Sequence, residues 1–231
     1  MTERKKFLVL GATGTLGSAV AYELEEQGAV VYRVGHHSFP PALMGCDVAD
    51  HRSVHQLVQK VQDEIGEGEK FDGIFYGVSR HSFAECQHAL HEKTNAYQQT
   101  PALAAMLSVE VIGLQIVLEQ FAPIIRDGGE FAVASPTFAR QGNGDPSFWR
   151  VLDAADINLW PYVAVKRMQS EWLHAWDRST SCRFALIEVP ARLVIEGPVT
   201  GIIPGEMPEH FFQRAYMFAK ATCRLMLGEE E

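Results

Sequence analysis

The sequence predicts a doubly wound α/β fold, a parallel sheet flanked by helices. Three observations predict it. Short apolar runs alternate with stretches of helical periodicity along all 231 residues. The first run, "FLVL", leads into three glycines at 1-4-7 spacing, Gly11, Gly14 and Gly17, and then into a helical pattern. No repeat, low-complexity segment or linker interrupts the alternation. Alternation of this kind implies βαβ units, whose right-handed crossovers build a parallel sheet. A single domain over residues 1–231 is expected.

Taken in order, Phe7–Leu10 reads as a short buried strand. Leu16, Val20 and Leu24 recur at helical spacing over Leu16–Gln27, and Gly28 is a C-terminal stop. Ala29–Gly35 is β-branched and reads as the second strand, with a weak third at Leu43–Cys46. Val54, Leu57, Val58, Val61 and Ile65 make the apolar stripe of a helix that Gly66 ends. Phe71–Val78 is a strand, Ala102–Ile125 a long helix, Asp127-Gly128-Gly129 a turn and Glu130–Ser135 a strand. Tyr162–Trp176 is a helix, Phe184–Val189 the last strand and Pro208–Leu227 the last helix.

Composition narrows the partners. Apolar residues make up 47% of the chain, enough for a sizeable core, and the net charge of −9 argues against nucleic acid or an anionic membrane surface. No apolar run reads as long enough to span a bilayer. The charged start "MTERKKF" leads to the Gly11–Gly17 interruption rather than a signal-peptide core, so a cytoplasmic location is expected. Cys46, Cys86, Cys182 and Cys223 are scattered without a CxxC and read as free thiols. Glu85, His88 and His91 lack a third histidine, so no metal is expected.

A glycine turn between a first strand and a helix leaves backbone N–H groups bare. A pyrophosphate can approach them, and the helix N-terminus favours its negative charge. This is the Rossmann-type arrangement, and a dinucleotide is the expected ligand. At the end of the second strand a carboxylate would hold a ribose 2′-hydroxyl and repel a 2′-phosphate. That position falls on Gly35, followed by His36, His37 and Ser38, with Arg33 nearby. NADP(H) is therefore expected over NAD(H).

Tyr162 and Lys166 are four apart, so a helix puts them on one face. A phenol has a pKa of about 10 and shuttles protons poorly at neutral pH. An ammonium about 4 Å away contributes roughly 4 kcal/mol at an effective dielectric near 20, about three pKa units.

With these residues in view, the chain resembles the short-chain dehydrogenase/reductase family, as an atypical member. "GATGTLG" looks like its nucleotide loop, "CDVAD" like the segment after its third strand, and "YVAVK" like its catalytic YxxxK. The resemblance spans about residues 5–195. It implies cofactor contacts at Gly11, Thr13, Gly14, Thr15, Leu16, Gly17, His36, His37, Asp47, Val48, Gly77, Lys166 and Pro190. It implies Tyr162 as the proton donor to the substrate oxygen, Lys166 as the holder of the nicotinamide ribose, and Ser135 as a hydrogen-bond donor to the carbonyl. Ser147 and Thr137 are alternatives to Ser135. Three departures stand out. Glu110 occupies the place of an asparagine whose backbone carbonyl anchors a water linked to the lysine. "FYGVS" replaces NNAG, leaving Gly77, and Ala191 replaces the glycine of a PG pair.

The implied activity is reduction of a carbonyl, or oxidation of an alcohol, on a small, partly apolar molecule. A non-catalytic nucleotide sensor and an isomerase or dehydratase are the alternatives. Residues 136–161, with Phe138, Phe148, Trp149 and Trp160, read as a substrate-site loop, and residues 195–218 as a lid. Arg140, Arg150 and Arg192 are candidates for an acidic substrate. The helix from Ala102 is apolar almost all round and needs a cover on its outer face. A homodimer or homotetramer is expected, and the family pairs this helix with the YxxxK helix across a two-fold axis.

Overall fold

A computed structural model describes residues 4–38, 44–66, 68–79, 103–136, 160–176, 183–189 and 209–229. Side chains at 136, 160–164, 186, 188, 209–212 and 214 lie outside the description. Within it, the strands are β1 (Lys6–Leu10), β2 (Val30–Gly35), β3 (Met44–Gly45), β4 (Phe71–Tyr76), β5 (Ile125–Pro136) and β6 (Arg183–Val189). The helices are α1 (Thr15–Glu26), α2 (His51–Ile65), α3 (Leu103–Ile124), α4 (Trp160–Trp176) and α5 (Glu209–Leu227). All six strands join one parallel sheet in the order β3-β2-β1-β4-β5-β6. The order reverses between β1 and β4, and a crevice at the carboxyl ends of the strands is the usual ligand position in such sheets.

Strand side chains alternate between two cores, as a period of two requires. Phe7 and Val9 face one way, toward Val20 and Leu24 of α1, Val165 of α4, and Ala219 and Cys223 of α5. Leu8 and Leu10 face the other way, toward Val54, Leu57 and Val61 of α2 and Leu114, Leu118 and Phe121 of α3. The α2 stripe expected from its periodicity is buried throughout. Asp50 caps that helix, accepting from Arg52 N at 3.0 Å. Gly66 ends it with φ +99°, and Gly28 leaves α1 with φ +83°.

Three expectations change. Leu103–Ile124 is long and apolar enough to cross a membrane, contrary to the sequence reading. One face of this helix packs on the sheet and another point on α4, and its Glu110 is buried in an ion pair. That helix is also not uniform: Ser108–Gly113 winds as a π segment, followed by Leu114–Phe121 as α-helix and Ala122–Ile124 as a 3₁₀ turn. Finally, Asp127-Gly128-Gly129 lies inside β5 rather than before it. Ile125 already pairs with Phe71, and the register shifts before Glu130 pairs with Gly73, with Gly128 at φ +72°. The shift absorbs the turn as an irregularity of the strand.

From Glu209 on, the segment expected as a lid is the start of α5, and its Ala215 and Phe218 are buried. Residues 195–208, the loop 137–159, Pro190, Ala191, Arg140, Arg150, Arg192 and the Glu85-His88-His91 group lie outside the described residues. Cys46 and Cys223 are free and buried, and among the described residues no group of side chains could hold a metal.

Candidate functional site at the carboxyl edge of the sheet

The turn after β1 is held by backbone. Gly11 N and Ala12 N both donate to Val34 O at 2.9 Å, and Gly77 N donates to Leu10 O at 2.9 Å. Gly11 has φ +83°, and a Cβ there would lie 2.7 Å from the carbonyl of Gly77. A Cβ on Gly17 would lie 2.2 Å from Gly11 O. Helix α1 therefore sits directly on the turn, which only a glycine at 17 permits. Gly14 occupies the N-cap without a side-chain cap, donating its N–H to Gly11 O at 2.9 Å. The first amides of α1 are thus open to an anion. Thr15 is buried, and its Oγ1 has no partner among the described residues. Thr13 and Leu16 are half-buried beside it.

At the end of β2, His36 and His37 are exposed, with ring nitrogens 3.1 Å apart. Arg33 is engaged elsewhere: its Nε and Nη2 donate to the Glu25 carboxylate at 2.9 and 2.6 Å. Asp47 Oδ1 accepts from Ala49 N at 3.0 Å, which folds the turn into α2. Val48 is buried against Gly113, where a Cβ would lie 3.0 Å from Val48 Cγ2.

The third part of the edge is a buried charged cluster. Lys166 of α4 donates from Nζ to Glu110 Oε2 at 2.6 Å, to Gln169 Oε1 at 3.1 Å and to Ala134 O at 3.4 Å. Glu110 is fully buried and Lys166 nearly so. The other carboxylate oxygen of Glu110 accepts from Ser79 Oγ, in the segment after β4. Gln169 Nε2 donates to the Glu110 carbonyl at 2.7 Å. One residue away on the π segment, Val109 O accepts from Tyr76 OH at 2.7 Å. Burial, and then the Glu110 charge, hold that phenol well above the usual tyrosine range. A π segment changes which side chains a helix aims at its neighbour, and such segments are frequent at functional sites.

Ser135, at the end of β5, is buried, and its Oγ has no partner among the described residues. It follows Ala134, whose carbonyl receives Lys166. The fold thus brings Ser135, Lys166 and Glu110 to one end of β5, and Gly11, Gly14, Gly17 and Gly77 to the neighbouring ends of β1 and β4. Tyr162 lies in α4 one turn before Lys166, and its side chain is outside the description. Sequence reasoning missed Ser79 and Gln169. A polar residue at a buried position of α4, three after Lys166, is the signal that could have found the second.

The sequence matches no protein-family model and no curated protein sequence. The fold, by contrast, is shared with solved short-chain dehydrogenases. The chain is similar to the protein lin1944 from Listeria innocua, with a TM-score of 0.65, 18% identity, and 98% of this chain and 96% of that one covered. It is similar to a short-chain dehydrogenase from Burkholderia cenocepacia solved in complex with NADP: TM-score 0.64, 16% identity, 96% and 90% covered. It is also similar to the aldohexose dehydrogenase of Thermoplasma acidophilum in ligand-free form: TM-score 0.63, 14% identity, 97% and 87% covered. These likenesses extend over nearly the whole chain and define its architecture as the short-chain dehydrogenase type.

Proposed function

We propose that the chain is an NADP(H)-dependent oxidoreductase of the carbonyl reductase or alcohol dehydrogenase type, acting on a small, partly apolar molecule as a cytoplasmic homo-oligomer. One observation carries the reading. A side-chain-free turn with an uncapped helix N-terminus and a buried, unpartnered threonine hydroxyl opens at the same sheet edge as Ser135 and Lys166. These residues fit a dinucleotide. Gly11, Thr13, Gly14, Thr15, Leu16 and Gly17 would take its pyrophosphate, and His36 and His37 its 2′-phosphate. Asp47 and Val48 would take the adenine, and Gly77, Lys166 and Pro190 the nicotinamide half. With no carboxylate at Gly35, nothing at the end of β2 repels a 2′-phosphate. The NADP complex of the Burkholderia neighbour supports the same choice.

When bound, the nicotinamide supplies or accepts hydride. The chain's own groups do the rest. Ser135 Oγ donates a hydrogen bond to the substrate oxygen, and Tyr162 gives or takes the proton at that oxygen, a role worth about 10²–10⁴-fold. Calorimetric titration with NADPH and NADH, followed by a carbonyl panel with wild type and Tyr162→Phe, tests the reading. Tighter NADPH binding and loss of turnover in Tyr162→Phe are expected. Tighter NADH binding, or full turnover without the phenol, overturns it.

A second reading, a non-catalytic nucleotide sensor, draws on the Glu110–Lys166 pair. A carboxylate 2.6 Å from the ammonium offsets most of the positive charge that would lower a neighbouring phenol's pKa. Binding of NADPH with no turnover across the panel would favour it.

A further inference from the structure

Tyr76 has no part in the roles above, yet it is almost wholly buried at the end of β4. Its hydroxyl meets α3 where that helix winds as a π segment. π winding matches each N–H to the carbonyl five residues back, so Gly113 N–H belongs to Ser108 O and not to Val109 O. The next amide, Leu114 N–H, donates to Val111 O. In an α-helix those two N–H groups would serve Val109 and Glu110. Here both carbonyls accept from side chains of neighbouring elements instead. Val109 O takes the Tyr76 hydroxyl at 2.7 Å, and Glu110 O takes Gln169 Nε2 at 2.7 Å. Burial, and then the Glu110 charge, keep the phenol protonated, so it remains a donor. Three residues on, Ser79 Oγ donates to the Glu110 carboxylate. Two hydroxyls of the segment "FYGVS" thus reach two adjacent residues of the π segment.

We infer that Tyr76 is a positioning residue of this site: its hydroxyl holds the Val109 carbonyl, fixes α3 in its π winding, and thereby keeps Glu110 aimed at Lys166. A buried carbonyl left without that hydroxyl is costly. It regains a partner when Gly113 N–H turns back to it, which is α winding. The extra residue of the π turn then moves toward the start of α3, and Glu110 turns by one residue's rotation, about 100° around the helix axis. Its carboxylate leaves the ammonium that it meets at 2.6 Å. No step of this needs a bound dinucleotide, and a failure of the dinucleotide reading leaves it untouched.

The test reads the winding and the ion pair separately, on the full chain. In a crystal structure of Tyr76→Phe, residues 108–113 are expected to wind as α-helix, with the Glu110 carboxylate more than about 4 Å from Lys166 Nζ. Urea unfolding gives the second measure. Lys166→Met is expected to lower the midpoint strongly in wild type, and by less than about half as much in Tyr76→Phe, where the carboxylate has already left. Replacing Tyr76 by 4-aminophenylalanine guards against a Phe variant that fails to fold. Its amino group still donates at the same end of the ring, so the π winding and the full cost of Lys166→Met are expected to return. Cys223→Ala, in the core on the other face of the sheet, controls for a general loss of stability, and in it Lys166→Met is expected to cost what it does in wild type. Four results overturn the inference: π winding kept in Tyr76→Phe, an undiminished cost of Lys166→Met there, the same diminished cost in Cys223→Ala, or a 4-aminophenylalanine chain that behaves as Tyr76→Phe does.

Discussion

Around the glycine turn the chain makes room by having no side chains; around Lys166 it fills the room with charge. The turn is local. Gly11, Gly14 and Gly17 lie within one strand-to-helix passage, and their constraint is backbone against backbone. The cluster is assembled from afar. Glu110 and Lys166 are 56 positions apart, on helices that meet because both pack at the end of β5. The first arrangement tolerates no added atom, and the second tolerates no missing partner.

The largest expected effect comes from taking one partner away. Lys166→Met or Glu110→Leu alone removes one half of a buried ion pair and should destabilise the fold by about 3–5 kcal/mol in urea unfolding. The double variant should regain most of that loss. Single variants costing less than about 1 kcal/mol would mean that the pair is solvated in solution. Adding an atom to the turn comes next. Gly17→Ala should cost about 1–3 kcal/mol through overpacking and abolish dinucleotide binding in the same titration. Gly14→Ala, whose Cβ would lie 3.3 Å from Gly11 O, should be milder. Equal effects at the two glycines would break the local account of the turn.

A smaller effect concerns assembly. Ile112 on α3 and Met168 on α4 are 51% and 52% exposed. Changing both to Glu should convert the proposed oligomer to monomer by light scattering at micromolar concentration, with little change in intrinsic fold stability. The smallest effect is alkaline. Burial pushes the Cys46 thiol up to about 11 and the Cys223 thiol up to about 12. The unfolded chain releases these protons at about pH 8.5 while the native state keeps them, so stability should fall as pH rises above about 9. Equilibrium unfolding at pH 7 and 10 reads this directly, and Cys46→Ala should shrink the difference.

What could be read beforehand follows the same divide. The glycine passage, the α2 stripe and the apolar strands were legible because each depends on neighbours a few residues away. Element ends shifted where tertiary pairing decided them. β5 starts at Ile125 because Phe71 is there to pair with it, and β4 stops at Tyr76 because Gly77 turns to meet Gly11. Arg33 was a candidate for phosphate, but Glu25, eight residues earlier on α1, takes its guanidinium. Glu110 was legible only as a departure. That it grips Lys166 directly, with Gln169 bracing both, depends on how α3 winds and on how α4 crosses it, and no spacing in the chain encodes that crossing.

The last helix has a consequence for the order in which the chain is made. Lys5, just before β1, donates to the carbonyl of Leu227 at the end of α5, and Cys223 Sγ contacts Val20 O at 3.6 Å. Val20, Ala21 and Leu24 of α1 are sealed beneath Phe218, Ala219, Cys223 and Met226. During synthesis on the ribosome, the first helix is finished long before its cover exists. A nascent chain that has not reached residue 209 carries an uncovered apolar strip on α1, which is sealed only when the final helix emerges.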